Sequence, residues 1–309
     1  MPDVASSNNL GGITLHALAE QTLENFLLEF PLVNSFTRDF TADIATRGET
    51  VTTRIASDLS AAKDFDQGSG NRGYLPDAVE STERVITLNK HKQKTIEFDD
   101  GQLSKGGWPI LQRLFVQPVS HSIVKAMMDD VMGLVTATNF GAAQVDIADE
   151  ASLTIDHLID LQKSLDLVNC PMERFFIHNP SIFAALLKND ALQKQLNYGG
   201  AEPIRERRIP ELLGLGLQTY NSIPANTASS KNLVGFAGHK DAIIIAARVP
   251  AEPQNFYGEV VTVQDRTSGL SIQLRSYYMP LGFYRITATL LYGVAVGNEK
   301  LLKRVVVDV

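Results

Sequence analysis

Apolar positions along this chain recur with two different periods, and the places where the period switches outline its elements. Leu15, Leu18, Ala19, Leu23, Phe26 and Leu27 follow one another at helical spacing up to Phe30-Pro31, which predicts an amphipathic helix stopped by the proline. From Glu49 to Ser57 the pattern becomes alternating, with Val51, Thr53 and Ile55 set against Thr52 and Arg54, and reads as a strand. The next alternating run begins at Arg84-Val85-Ile86-Thr87-Leu88 and continues through charged residues to Thr95-Ile96-Glu97-Phe98. Between the two lies 58 to 82, centred on Gly68-Ser69-Gly70-Asn71-Arg72-Gly73. So long a patternless stretch does not belong inside a compact domain, so the two runs are expected to form a hairpin whose loop projects.

Further along, Pro118 stands where a first helical turn tolerates proline, and Val124, Met127, Met128, Val131, Leu134 and Val135 form one stripe behind it. A helix of about 20 residues would be a rod of roughly 30 Å. A second helix is predicted from Ile155 to Val168, with Thr154 as N-cap and Ile155, Leu158, Ile159 and Leu165 on its buried side. Arg174-Phe175-Phe176-Ile177-His178 is a short apolar strand, and Asn179-Pro180 supplies a cap and a first-turn proline for a helix over 181 to 196. A short helix near Pro210 to Leu213 and strands at 215 to 220, near Leu233 and at 243 to 247 follow. The remainder is nearly all strand: 259 to 265, a turn at Thr267-Ser268-Gly269, then 270 to 278, 283 to 291 and 301 to 307. Residues 1 to 12, small and polar, are expected to form a mobile arm. The order of elements defines an α+β class.

The hairpin presents an energetic problem. A two-stranded ribbon is marginal in water, and this one has few large apolar residues to bury. Its charges, Lys63, Asp64, Asp66, Arg72, Glu80, Glu83, Arg84, Lys90, Lys92 and Lys94, look like the rim of a contact with a neighbouring subunit, and Arg54 joins them as an expected contact. Arg205, Arg207 and Arg208 form the densest basic cluster; with Glu202, Glu206 and Glu211 close by, an ion-pair network between subunits fits better than a phosphate site.

Composition narrows the functional classes. The 309 residues are 44% hydrophobic and 20% charged, the balance of an ordered globular protein, and the length suggests about two domains. A net charge of -7 argues against a strong positive field for holding nucleic acid. The single cysteine, Cys170, permits no disulfide within the chain and no thiolate zinc site, and its place before Pro171 suits an inert core group. The start, Met1-Pro2-Asp3-Val4-Ala5-Ser6-Ser7, lacks signal-peptide features, and no apolar run is long enough to span a membrane. His16, His91, His121, His157, His178 and His239 are scattered without metal-ligand spacing, and Asp146, Asp149, Glu150, Asp156 and Asp160 lack the alternation of a calcium loop and read as a solvated helix start. Leu213-Gly214-Leu215-Gly216-Leu217 is a turn, not a dinucleotide fingerprint, and neither a nucleophile elbow nor a phosphate-cradling loop occurs. No cofactor, metal or catalytic residue is expected.

Several local motifs, in order, carry a resemblance: Arg174-Phe175-Phe176-Ile177-His178-Asn179-Pro180 before a helix, Ile209-Pro210-Glu211-Leu212-Leu213-Gly214 before a strand, and Gly235-Phe236-Ala237-Gly238-His239-Lys240-Asp241-Ala242. Asp265-Arg266-Thr267-Ser268-Gly269 and Arg285-Ile286-Thr287-Ala288-Thr289-Leu290-Leu291-Tyr292-Gly293-Val294 close the series. Over most of its length the chain resembles the major capsid proteins of tailed bacteriophages, whose fold is shared with herpesvirus shell floors and encapsulins. The resemblance implies an N-terminal arm over 1–45, an extended loop over 46–105 lying on an adjacent subunit, a peripheral domain with a long spine helix over 106–169 and 281–309, and an α/β axial domain over 170–280. It further implies hexamers and pentamers assembling into an icosahedral shell around double-stranded DNA, without sequence-specific binding and without a membrane. The place would be the virion capsid, assembled in the host cytoplasm. A scaffolding extension is missing from the start, which implies a separate scaffolding protein; a portal protein is a second partner, and a decoration protein is left open. Lys63 and Asn298 are conceivable cross-link partners, but no local motif fixes them and non-covalent closure is expected. An encapsulin-type compartment with an enzyme cargo is the nearest alternative, and a soluble enzyme with a lid at 58 to 82 the more distant one.

Overall fold

The computed structural model of the chain describes residues 15–29, 31–56, 81–99, 118–189, 211–225, 231–252, 257–265, 269–279 and 282–308. The first helix, α1, spans Leu15–Glu29, where the periodicity placed it, and Leu15, Leu18, Ala19 and Leu23 are buried. The stripe behind Pro118 forms α2, helical over 118–132, with Val124, Met127, Met128 and Val131 fully buried. It stops short of the expected Val135: Gly133 enters a turn, and Thr136 instead caps the short α3 (Ala137–Phe140) by accepting from the Asn139 amide. In α4 (Ile155–Asp166), Thr154 and His157 form a reciprocal capping box; Leu158, Leu161 and Leu165 are buried, whereas Ile159, expected inside, is 47% exposed. Asn179 accepts from the Ile182 amide and caps α5 (Pro180–Lys188), with Pro180 in its first turn.

Among the described residues, two six-stranded sheets and one two-stranded ribbon make up the β structure. In the first sheet, β13 (Phe283–Val296) is the hub. One of its edges carries β12 (Ser271–Met279) and then β10 (Ile243–Pro250), the other β4 (Lys90–Asp99), all antiparallel. Outside β10 lies β1 (Thr37–Ala45), parallel to it, and outside β12 lies β11 (Glu259–Gln264). Ile286, Ala288, Leu290 and Tyr292 alternate along one face of β13 and are buried, with the Tyr292 hydroxyl reaching α2. On that side α1 packs against β11 and β12, and the Ser120 hydroxyl of α2 donates to the Thr22 carbonyl of α1 at 2.8 Å.

The second sheet runs β5 (Val145–Ile147), β14 (Leu302–Asp308), β9 (Lys231–His239), β6 (Arg174–His178), β8 (Leu215–Thr219), β7 (Glu211–Leu212). All five residues of β6 are buried. Phe175 links this core to that of the first sheet's entry segment through edge-to-face contacts with Phe236 and Phe36.

The structure corrects four expectations. The run from 84 to 98 is two strands: β3 (Ser81–Thr87) pairs with β2 (Thr50–Ala56) in the ribbon, the chain turns at Leu88-Asn89, and β4 joins the first sheet. The stretch assigned to an arm contains β1, a full member of that sheet. Pro210 to Leu213 holds no helix in its described part; β7 and β8 form a hairpin whose two turn residues, Leu213 (φ 53) and Gly214 (φ 75), both have positive φ, the twist that suits a two-residue connection. Finally, strand pairing ignores the expected boundaries at 169/170 and 280/281, because β10, β11 and β12 belong with β13 and β4, while β14 belongs with β6 and β9.

Candidate assembly interface

The ribbon is rooted in the body by its own backbone. Gly48 donates to the Leu88 carbonyl and Leu88 to the Glu49 carbonyl, both at 2.8 Å, and Gly48 turns the chain with a φ of 97°. Ile86 and Leu88 are fully buried against Ala45, Ile244, Ala246 and Leu291, a small apolar cluster on the opposite face of the first sheet from α2. This contact requires Gly293: a Cβ there would stand 2.3 Å from the Thr87 carbonyl oxygen and 2.9 Å from Ile86 Cγ2. The expectation that residues 49 to 99 cannot bury enough of their own apolar surface is therefore too broad. The root is buried within the chain, and Val85, on the ribbon face away from Ile86, is 55% exposed.

A second anchor sits at the end of α2. Asp130 accepts from the Tyr292 hydroxyl at 2.6 Å and lies 3.3 Å from the ammonium groups of both Lys90 and Lys92. Burial by itself would raise the Asp130 carboxyl pKa, but the Tyr292 hydroxyl and the two ammonium groups outweigh it and hold the carboxyl below its ordinary value. Burial, with the neighbouring carboxylate, pushes the Tyr292 phenol well above its usual range, so it stays a donor. The adjacent Asp129 accepts from the Tyr220 hydroxyl, just past β8, at 2.8 Å and pairs with Lys125 at 3.2 Å. Two neighbouring carboxylates on one helix end thus hold the two sheets, one each.

The residues expected at a subunit contact consequently divide. Lys90 and Lys92 are engaged inside the chain at Asp130, and Arg84 meets Glu299 at 3.4 Å with its Nε unpartnered among the described residues. Glu83 and Lys94 are exposed, and Arg54 stands opposite Glu83 in the ribbon register. Lys63, Arg72, Glu80, Arg205, Arg207 and Arg208 lie outside the described residues. Sequence reasoning missed Asp129, Asp130, Tyr220 and Tyr292; the only available signal was a pair of acids on the polar edge of an otherwise apolar helix. Elsewhere Cys170 is buried, and burial pushes its thiol pKa up, as an inert core sulfur would show. Among the described residues no group of His, Cys, Asp and Glu is arranged to hold a metal ion, and no helix is long and apolar enough to cross a membrane.

The fold as a whole is similar to that of solved structures. The capsid structure of the cyanophage P-SCSP1u superposes with a TM-score of 0.60 at 12% identity, over 87% of this chain and 85% of that one. A chain of Mycobacterium phage Che8 gives 0.55 at 18% identity, over 82% and 84%. The mature capsid of bacteriophage PhiM1 gives 0.54 at 13%, over 88% and 85%. The chain has the tailed-phage capsid fold. No family model and no curated protein matches at the level of sequence, so the likeness to capsid subunits lies in the fold. Among the described residues, the ribbon is held to the rest of the chain at its root, where Ile86 and Leu88 are buried.

Proposed function

We propose that this chain is the major capsid protein of a tailed bacteriophage, a structural subunit and not an enzyme, which self-assembles as hexamers and pentamers into an icosahedral shell enclosing double-stranded DNA. The observation that carries the reading is the extent of the capsid likeness, over 87% of this chain and 85% of the cyanophage capsid chain. Strand pairing supports a division in which the first sheet with α1 and α2 is the peripheral domain and the second sheet with α4 and α5 the axial domain, replacing the boundaries read from sequence. In this reading the outer ribbon lies on an adjacent subunit, with Arg54, Lys63, Arg72, Glu80, Glu83 and Lys94 at that contact and Arg205, Arg207 and Arg208 at another. A separate scaffolding protein, a portal protein and, where the shell is decorated, a decoration protein are the further partners, with assembly in the host cytoplasm. DNA is contained and not read, consistent with a net charge of -7.

Size-exclusion chromatography followed by negative-stain microscopy, with and without the scaffolding protein, tests the proposal. Closed shells are expected; a monodisperse monomer or dimer under every assembly condition overturns it.

A further inference from the structure

The chain passes from one sheet to the other twice within a few residues, and the two passages lie side by side. After β9 the short helical turn Lys240–Ala242 leads to β10, and after β13 the turn Glu299–Leu301 leads to β14. Each is preceded by a glycine where the backbone of the other comes close: a Cβ on Gly238 would stand 2.7 Å from the Leu301 carbonyl oxygen, and one on Gly297 would stand 2.3 Å from that of Asp241. The amides of Gly297 and Asn298 donate to the carbonyls of Ala242 and Asp241, both at 2.9 Å, and bind the passages together. A rotation of one sheet against the other has to bend these few residues.

Asp241 is held from both sides of this joint. Its Oδ1 accepts from the Thr37 hydroxyl of β1, in the first sheet, at 2.8 Å. From the second sheet, the buried His239 ring brings Nδ1 to 3.4 Å from the Asp241 amide nitrogen and to the same 3.4 Å from Asp241 Oδ2. One ring nitrogen thus stands equally far from a donor and an acceptor. Neutral, it accepts from the amide; protonated, it donates, and the carboxylate is the acceptor in reach. The charged groups facing the ring are Asp241 and Lys240 in the turn, Glu173 just before β6 and Arg174 at its start, with Lys240 paired to Glu173 at 3.0 Å and Arg174 to Asp166 at 2.7 Å. Burial lowers the ring pKa from its ordinary 6.5, Asp241 and Glu173 oppose the shift, and Lys240 and Arg174 add to it, so the ring is neutral near neutrality and charges on the acid side. The link through α2 does not titrate there, because the Asp130 carboxyl is held below its ordinary value and the Tyr220 and Tyr292 phenols above theirs. We propose that the joint is an acid-responsive hinge: a proton taken from solvent by His239 trades its bond from the Asp241 amide for an ion pair with the Asp241 carboxylate, draws that carboxylate from Thr37, and loosens one sheet from the other. The device lies within a single chain and does not depend on the shell reading.

Amide hydrogen exchange of the unassembled subunit at about pH 7.5 and about pH 5.5, corrected for the intrinsic effect of pH, tests it. In the wild type, amides within 239–242 and 297–301 should exchange at least about fivefold faster at the lower pH, while those of α2 change by less than about twofold. His239→Gln keeps an acceptor for the Asp241 amide but cannot take a charge, and should abolish the response. Asp241→Asn keeps an acceptor for Thr37 but removes the anion, and should cut the response to less than about half. No response in the wild type, an equal one in α2, or an unchanged one in either variant overturns the proposal. The nitrogen-15 shifts of His239 in the wild type read the same event without any substitution: Nδ1 should gain its proton over the pH range in which the joint amides lose protection, and protonation with protection intact overturns the proposal as well.

Discussion

The two sheets solve the same packing problem in different ways. The second buries β6 on both faces, so each of its five residues is enclosed. In the first, β13 is likewise buried on both faces from Ile286 to Gly293; among the described residues α1 and α2 cover one face, and the other is apolar beneath the ribbon root and elsewhere hydrogen-bonding, with Thr95 and Thr287 sharing a 2.8 Å hydroxyl contact and Arg285 paired to Glu97. The two faces of the first sheet are therefore built differently, and the ribbon root is part of what encloses the second of them. The ribbon is attached to that second face through Ile86 and Leu88.

Substitutions that should sharpen this contrast run from several kcal/mol downward. Gly293→Ala forces a Cβ into the Thr87 carbonyl, and a loss of more than about 3 kcal/mol in denaturant unfolding is expected. Gly216→Ala in the second sheet, whose Cβ would have an ordinary 3.6 Å neighbour, should change stability by less than about 0.5 kcal/mol. Equal losses would mean that the ribbon root is not specially constrained. Next, Ile86→Ala removes a fully buried side chain and should cost about 2–4 kcal/mol, while Val85→Ala on the exposed ribbon face should leave the isolated subunit within about 0.5 kcal/mol. Third, Asp130→Asn abolishes a charge-assisted bond and two ion pairs and should cost about 1.5–3 kcal/mol, the more so at low salt. Asp129→Asn, at a side chain 43% exposed, should cost about 1 kcal/mol or less.

The smallest expected difference is in pH response. Asp130 is held below its ordinary 3.8, so its contribution is present above that value and is lost as pH falls beneath it. His178, fully buried with Nε2 unpartnered among the described residues and stacked on Phe183, is held neutral below its ordinary 6.5 by burial, as is His239. Their contribution is present above 6.5 and declines as pH falls below it, so the second sheet should weaken first on acidification. His91 on β4 is shifted the same way, by burial and by Arg275 and Arg47, but it is exposed and should matter less. Melting temperatures from about pH 8 to about pH 5 should fall less steeply for His178→Phe than for the wild type; an unchanged slope would exclude this residue as the cause.

Much of the fold was legible because its signals are local. Asn179-Pro180 marks a helix start whatever surrounds it, and the alternation in 283 to 291 marks a strand. What was hidden depends on distant partners. Lys90, Lys92 and Lys94 disguise β4 as solvent-facing, although the first two are neutralised by Asp130, about 40 positions later in the chain. In β1, Thr37–Ala45 has only Phe40 and Ala45 buried, and its place follows from a parallel partner some 200 residues away. The ribbon strands were visible in sequence, but the glycine that lets their root sit down lies in β13 and carries no local mark.

Both sheets are completed late. The first has β13 as its hub, and the second has β14 between β5 and β9, so neither can close until residues 283 to 308 are available. Without that stretch, β1, β4, β10 and β12 lack the strand that joins them, and the ribbon has no seat. Truncation just before β13 should therefore cost both sheets at once and not only the first.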